Sequence, residues 1–244
     1  MKPWSYNPSP VLSQTLAEQL TVFPRERDLT QTVLRTVWTV CLRGFLRVYF
    51  RLTIEGRGRL PRTGRYVLVA NHASHLDAVS LSAALPIRSI HRAFAVAAKD
   101  YFFSSFWRSL FSVIFINALP FDRKEQKRQS LELCADVLDI SEHVLIMFPE
   151  GTRSATGEIQ PFKRGIGILT AGTDRLVVPA YLDGAYAAWP KQAVFPRPKR
   201  VRLFIGQPMS FRNVARTDEG FARVAGEVET AVRQLAKEQG RGIL

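Results

Sequence analysis

Tyr66-Val67-Leu68-Val69-Ala70-Asn71-His72-Ala73-Ser74-His75-Leu76-Asp77 is the stretch on which the fold turns. Five apolar residues without polar alternation read as a strand buried on both faces. Asn71 ends the run, and a helix is predicted over 76–85. His72 and Asp77 are five positions apart, about 140° around a continuous helix, so on a helix their side chains would diverge. They meet only if His72 lies in the turn and Asp77 reaches back from the first helical turn. That places both at the carboxyl edge of a sheet, where α/β folds gather ligands. A histidine is suited to accept a proton near neutral pH, and a carboxylate on its other ring nitrogen fixes the tautomer.

The rest of the chain repeats the strand-then-helix rhythm. Strands are predicted over 66–70, 93–97, 113–116, 144–148, 176–181 and 201–205. Helices are predicted over 76–85, 104–111, 124–140, 164–170 and 219–239, the last with Phe221, Val224, Ala225, Val228, Val232 and Leu235 on one face. The pattern implies an α/β fold with a largely parallel mixed sheet flanked by helices. The division expected is an N-terminal arm and helix over 1–55, then one domain over 56–244.

Residues 1–28 are polar and hold Pro3, Pro8, Pro10 and Pro24; one short helix is expected near 11–20. Residues 32–52 are apolar and aromatic but carry Arg35, Arg43, Arg47 and Arg51 on one arc, opposite Leu34, Val37, Trp38, Cys41, Phe45, Val48, Tyr49 and Leu52. Each arginine at a bilayer centre costs roughly 2.5–3.5 kcal/mol, which argues against a spanning helix. The expectation is an amphipathic membrane-associated helix, arginines on anionic headgroups and aromatics in the acyl boundary. The competing reading is a core helix with an exposed arginine face. A second apolar stretch, 101–121, is too short in its charge-free part to span a bilayer; core, acyl groove and membrane contact all remain open for it. No basic segment followed by an apolar core opens the chain, so no signal peptide is expected.

The 244 residues are 46% hydrophobic and 23% charged, enough for a sizeable core and not the composition of a disordered chain. Net charge is +13, which favours a polyanionic partner: nucleic acid, an anionic membrane or a phosphorylated substrate. Cys41 and Cys134 sit in apolar helical patterns and are expected as reduced, buried thiols. His72, His75 and Asp77 form at most a weak H-x-x-H-x-D, and the other histidines, His91 and His143, supply no second ligand cluster, so no metal is expected.

A second string, Phe148-Pro149-Glu150-Gly151-Thr152-Arg153-Ser154, leaves another predicted strand at the same edge. Gly151 allows a sharp turn or close approach. Arg153 offers a fork of donors matched to phosphate, and Glu150 can hold that fork or bond a hydroxyl. On its own this string also fits a tight turn with a surface ion pair.

Together, N-H-x-S-x-x-D and F-P-E-G-T-R-S, in this order, closely resemble the PlsC-type glycerolipid acyltransferases. The resemblance covers about residues 65–206. It implies that His72 is the base and Asp77 its partner, with Glu150, Gly151, Thr152 and Arg153 shaping an acceptor and phosphate pocket. Phe121-Asp122-Arg123 matches the end of a further family motif, adding Arg123, although Asn117-Ala118-Leu119-Pro120 lacks the glycine usual there. Lys99 fits a lysine that recurs after the second strand, and Val178-Pro179-Ala180-Tyr181 and Phe162-Lys163-Arg164-Gly165 resemble two further family strings. Lys99 and backbone amides near Gly151 or Val178 are candidates for stabilising an oxyanion.

The implied activity is O-acyl transfer at a membrane surface from acyl-CoA or acyl carrier protein, used as substrate with no cofactor. The implied acceptor is a lysophospholipid, above all 1-acylglycerol 3-phosphate, giving phosphatidate. Another lysophospholipid or a lyso-aminolipid is the alternative acceptor. Expected partners are anionic membrane lipid, the lysophospholipid and the acyl donor. The expected place is the cytoplasmic face of the membrane, peripheral or monotopic. A basic nucleic-acid-binding protein is permitted by the charge but has no recognition motif. A lipid-binding protein with a dead site conflicts with the intact His72 and Asp77. The run Arg197-Pro198-Lys199-Arg200 with Arg202 fits donor phosphates, an acidic carrier, headgroups or a solvated face.

Overall fold

The computed structural model describes residues 29–62, 64–98, 118–121, 127–139 and 142–241. The expected N-terminal arm, the helix at 104–111 and the strand at 113–116 lie outside the described residues.

The described chain begins with helix α1 (Leu29–Tyr49) and strand β1 (Thr53–Glu55), followed by β2 (Tyr66–Ala70) and α2 (Asp77–Ala84). Then come β3 (Ala93–Ala98), β4 (Ala118–Phe121), α3 (Lys127–Asp139), β5 (Val144–Met147) and α4 (Gly165–Thr170). β6 (Leu176–Asp183), α5 (Ala185–Ala188), β7 (Arg202–Ile205), β8 (Met209–Ser210) and α6 (Asp218–Arg241) complete it. The sheet order is β1-β7-β6-β2-β5-β3-β4, with β8 also on β6. Pairings are parallel except for β6 with β7 and with β8, so the sheet is mixed and largely parallel, as the sequence implies.

The apolar runs follow from cover on both faces. In β2, Tyr66, Leu68 and Ala70 point into one core with Leu46 and Phe50 at the end of α1 and Leu81 of α2. Val67 and Val69 point into the other, against Leu138 of α3, Ile166 of α4 and Val228 of α6. α4 packs so closely on α6 that a Cβ on Gly167 would lie 2.3 Å from the Phe221 carbonyl oxygen. Gly167→Ala is expected to destabilise the protein by about 1–3 kcal/mol or more, read as a lowered denaturation midpoint. Unchanged stability would show that this helix pair separates freely.

α1 keeps part of its apolar face outward. Its apolar residues Val33, Leu34, Val37, Val40, Phe45 and Val48 are the exposed ones, each at least half accessible and Val48 at 80%. Arg35 and Arg43 turn toward the domain and are half-buried. Arg43 donates to the Leu85 carbonyl, and Arg57 donates to Ala84 and Leu85 at 2.8 and 3.1 Å. The carbonyls that end α2 need donors and favour cations, which explains why the arginine is drawn inward. Burial and the charge of Arg57 lower the Arg43 pKa. Arg47 and Arg51 are exposed, so the four arginines of this segment divide between the domain side and the outside. Cys134 is buried, and burial raises its thiol pKa to about 12, but Cys41 is exposed on the outward face of α1, against expectation. No helix among the described residues is long and apolar enough to cross a membrane.

Candidate active site

β2 and β5 are parallel neighbours in register, Tyr66 opposite Val144 and Val69 opposite Met147. The loops that leave them therefore emerge side by side. This brings together two strings that are far apart in sequence.

The first loop has the strand–turn–helix geometry that the spacing demands. Asn71 is buried, and its side-chain amide pairs with both backbone groups of Leu182, donating at 3.1 Å and accepting at 2.8 Å. That clamp fixes the exit of β2 against β6. Asp77 opens α2 and is 1% exposed. Its Oδ2 accepts from His72 Nδ1 at 2.8 Å, from the Ala73 N–H at 2.7 Å and from the Ser74 N–H at 2.8 Å. Three donors on one oxygen hold the turn and the imidazole at once. With Nδ1–H given to Asp77, Nε2 is the nitrogen that keeps its lone pair. The His72 ring stacks on Phe148, centroids 4.2 Å apart and planes 15° apart.

The second string braces the first. Glu150 Oε1 accepts the His72 backbone N–H at 2.9 Å, and the Ser154 N–H donates to the His72 carbonyl at 2.7 Å. Both backbone groups of the histidine are thus held by residues of the F-P-E-G-T-R-S loop. Glu150 is 2% exposed, beneath the turn. Burial raises its carboxyl to about 7, opposed by the backbone N–H groups of His72 and Gln160; Asp77 adds a smaller upward push. Its geometry is that of a positioning residue for His72.

Gly151 has φ +74°, the left-handed region, and the Lys163 ammonium lies against it, 2.7 Å from where a Cβ would stand. Its N–H goes to the Phe148 carbonyl at 3.0 Å. Val178 is fully buried in the middle of β6. The Gly151 N–H is thus engaged within its own loop, and Val178 is enclosed in the sheet. Thr152 is exposed. Arg153 Nη1 lies 2.7 and 2.8 Å from the two ring nitrogens of His75 and donates to the one that carries no proton. Burial and the charge of Arg153 lower the His75 pKa, keeping the ring neutral as an acceptor. Lys99 and Arg123 lie outside the described residues.

His72, Pro149 and Gly151 open onto a cavity of about 1030 Å³. Among the described residues its walls are mainly apolar: Val96, Phe121, Leu131, Met147, Phe148, Phe162, Ile168 and Phe221. Lys163 and Arg164 add charge, and Arg175 and Arg216 lie toward the amino end of the sheet. There Arg175 donates to Leu169 at 2.8 Å and to Asp139 at 2.5 Å, and Arg216 to Ala171 at 2.8 Å, so both are occupied. The sequence reading missed Phe148 as the stacking partner, Ser154 as the second brace and Lys163 as a cation at the cavity. Membership in quoted strings was the available signal for all three. Trp189, whose carbonyl accepts from Ser74 Oγ at 2.8 Å, gave none.

The acyltransferase family profile matches residues 51–183, from β1 through β6. A 1-acyl-sn-glycerol-3-phosphate acyltransferase of Limnanthes alba is 30% identical over 149 residues, 61% of this chain and 52% of that one. The 1-acyl-sn-glycerol-3-phosphate acyltransferase alpha of Mus musculus is 27% identical over 177 residues, 69% of this chain and 58% of that one. The chain thus spans about half the length of the curated relatives it matches. The crystal structure of the 1-acyl-sn-glycerophosphate acyltransferase PlsC from Thermotoga maritima superposes with a TM-score of 0.66 at 19% identity. It covers 91% of this chain and 87% of its own, and shares the fold.

Proposed function

This chain belongs to the acyltransferase family, and on that premise we infer that its site transfers a fatty acyl group from a thioester to the free hydroxyl of a lysophospholipid. The acceptor is 1-acylglycerol 3-phosphate and the product phosphatidate. The observation that carries this reading is the His72–Asp77 pair at the mouth of a large apolar cavity.

The acceptor hydroxyl gives its proton to His72 Nε2 as its oxygen attacks the thioester carbon. The imidazolium that forms is stabilised by Asp77 through Nδ1. Collapse of the tetrahedral intermediate expels the thiolate, which takes the proton back from His72. No acyl-enzyme is needed, because thiolate leaves readily and the base activates the acceptor itself. The apolar cavity receives an acyl chain. Lys163, on the same cavity, is a cation available to the developing oxyanion or to the acceptor phosphate. Arg153, held by His75, supplies the fork for that phosphate.

The donor is acyl-CoA or acyl carrier protein. The reaction takes place at the cytoplasmic face of an anionic membrane, with the outward apolar face of α1 against the bilayer. The direct test is an acyl-transfer assay with both donor types over a panel of lysolipids, 1-acylglycerol 3-phosphate among them. Transfer to another lysophospholipid or a lyso-aminolipid alone would reassign the acceptor, and no transfer to any would refute the reading. Arg153→Ala is expected to raise the acceptor KM about tenfold, the loss of one charge-assisted phosphate contact, with a smaller change in kcat. An unchanged KM would remove Arg153 from the acceptor site.

A further inference from the structure

We propose that the loop 190–200 is a second bilayer-docking element, seating the catalytic turn against anionic lipid. Its tip carries Val194 and Phe195, 77% and 79% exposed. Lys191, Arg197, Lys199 and Arg200 flank that tip, all exposed and none in an ion pair among the described residues. Arg202, next along the chain, differs: it is bound to Asp183 at 2.7 and 2.9 Å and serves the fold.

The exposure of the tip is built in. The Ala193 N–H donates to the Pro190 carbonyl at 3.0 Å, and Trp189 Nε1 donates to the Ala193 carbonyl at 3.0 Å. The Arg197 N–H donates to the Ala188 carbonyl at 2.8 Å, and Tyr49 Oη donates to the Pro196 carbonyl at 3.3 Å. A backbone tied at four points holds two large apolar side chains in water, an arrangement with no internal benefit to the fold.

Two links give the loop its place. Tyr49 joins it to the end of α1, where Phe45 stacks on Tyr49 at 5.2 Å and Val48 is exposed. The apolar tip therefore continues the outward stripe of α1. At its other end, the Trp189 carbonyl accepts the His75 N–H at 3.2 Å and Ser74 Oγ at 2.8 Å, and the His75 and Trp189 rings lie 5.0 Å apart. The loop is thus bonded directly to the turn that carries His72. An apolar pair ringed by four unneutralised cations matches a surface that is apolar below and anionic above, which is a bilayer containing acidic lipid. An acidic carrier protein would meet the charges but leave the stripe of α1 uncovered.

The purpose of this element rests on the lipid acceptor proposed above, whereas its binding does not. Flotation of the full chain with vesicles of phosphatidylcholine, alone or mixed with phosphatidylglycerol, tests the binding. Lys191→Gln, Arg197→Gln, Lys199→Gln and Arg200→Gln combined should lower partition onto the anionic vesicles at least about tenfold and flatten its salt dependence, since each basic residue near such a surface contributes about fivefold. Val194→Ser with Phe195→Ser should lower partition onto both vesicle types.

Insertion is read independently by an environment-sensitive fluorophore on Phe195→Cys in a Cys41→Ser background, Cys134 being buried. A blue shift on anionic vesicles is expected. No shift, or unchanged partition of both variants, overturns the proposal. So does a charge variant that floats normally but loses turnover with acyl carrier protein, which would make the loop a carrier-docking site. A blue shift without acyl transfer to any lysolipid would leave the loop standing and refute the catalytic reading instead.

Discussion

His72→Ala is expected to lower acyl transfer by about 10²–10⁴-fold, the range that positioned general bases contribute. The measurement is thiol release from the acyl donor with acceptor present. Loss should fall on kcat, because the imidazole is needed only as the hydroxyl proton leaves. The fold should survive. The backbone of residue 72, not its side chain, carries the braces from Glu150 and Ser154, and the ring contributes only the Phe148 stack and its bond to Asp77. Asp77→Ala is a poorer probe, since it also orphans the Ala73 and Ser74 N–H groups that share the carboxylate. Asp77→Asn retains an acceptor for those amides but removes the negative charge that stabilises the imidazolium. A loss approaching that of His72→Ala is expected from it. Full activity in His72→Ala would mean that the proton goes elsewhere and the mechanism fails.

Glu150→Gln is expected to change the pH dependence of stability more than the chemistry. Below pH 4.5 the carboxyl is protonated in both the folded and the unfolded chain and makes no difference between them. From pH 4.5 to about 7 the unfolded chain releases the proton while the folded one keeps it, so stability falls as pH rises. Above about 7 both are ionised, and the penalty of a buried carboxylate is constant, up to about 3 kcal/mol. Glutamine never ionises and can still accept the His72 N–H. The variant should match the parent at low pH and become more stable than it across this window, keeping the gap above pH 7. Denaturant midpoints at several pH values read this directly, and parallel curves would refute a buried, proton-holding Glu150. The acceptor KM should be little changed, because the carboxyl lies beneath the turn. A large rise in KM would restore the role expected from sequence, a bond to the glycerol hydroxyl.

The strands that sequence captured best are those covered on both faces. β2 begins and ends where its apolar run does, and β5 and β6 depart from expectation only at their carboxyl ends. Burial on both sides leaves no polar alternation and makes the run its own boundary. β1 and β8, three and two residues long, were invisible because such pieces have no period and exist only through their neighbours β7 and β6. For α1, the sequence revealed two faces but not which one the domain would claim. The unsatisfied carbonyls at the end of α2 decided that, by drawing Arg43 inward.

By itself the sequence determined the contact between His72 and Asp77, because a five-residue spacing behind a strand admits one geometry in which they touch. It also determined that a second loop would leave a strand at the same edge. Only the tertiary structure decided what that loop does there. Parallel registration of β2 with β5 turns Glu150 and Ser154 onto the backbone of His72, and packing of α3 and α4 beside β5 shapes the cavity. Local spacing fixes which side chains can meet within one turn. Pairing between distant strands fixes everything that meets across the sheet.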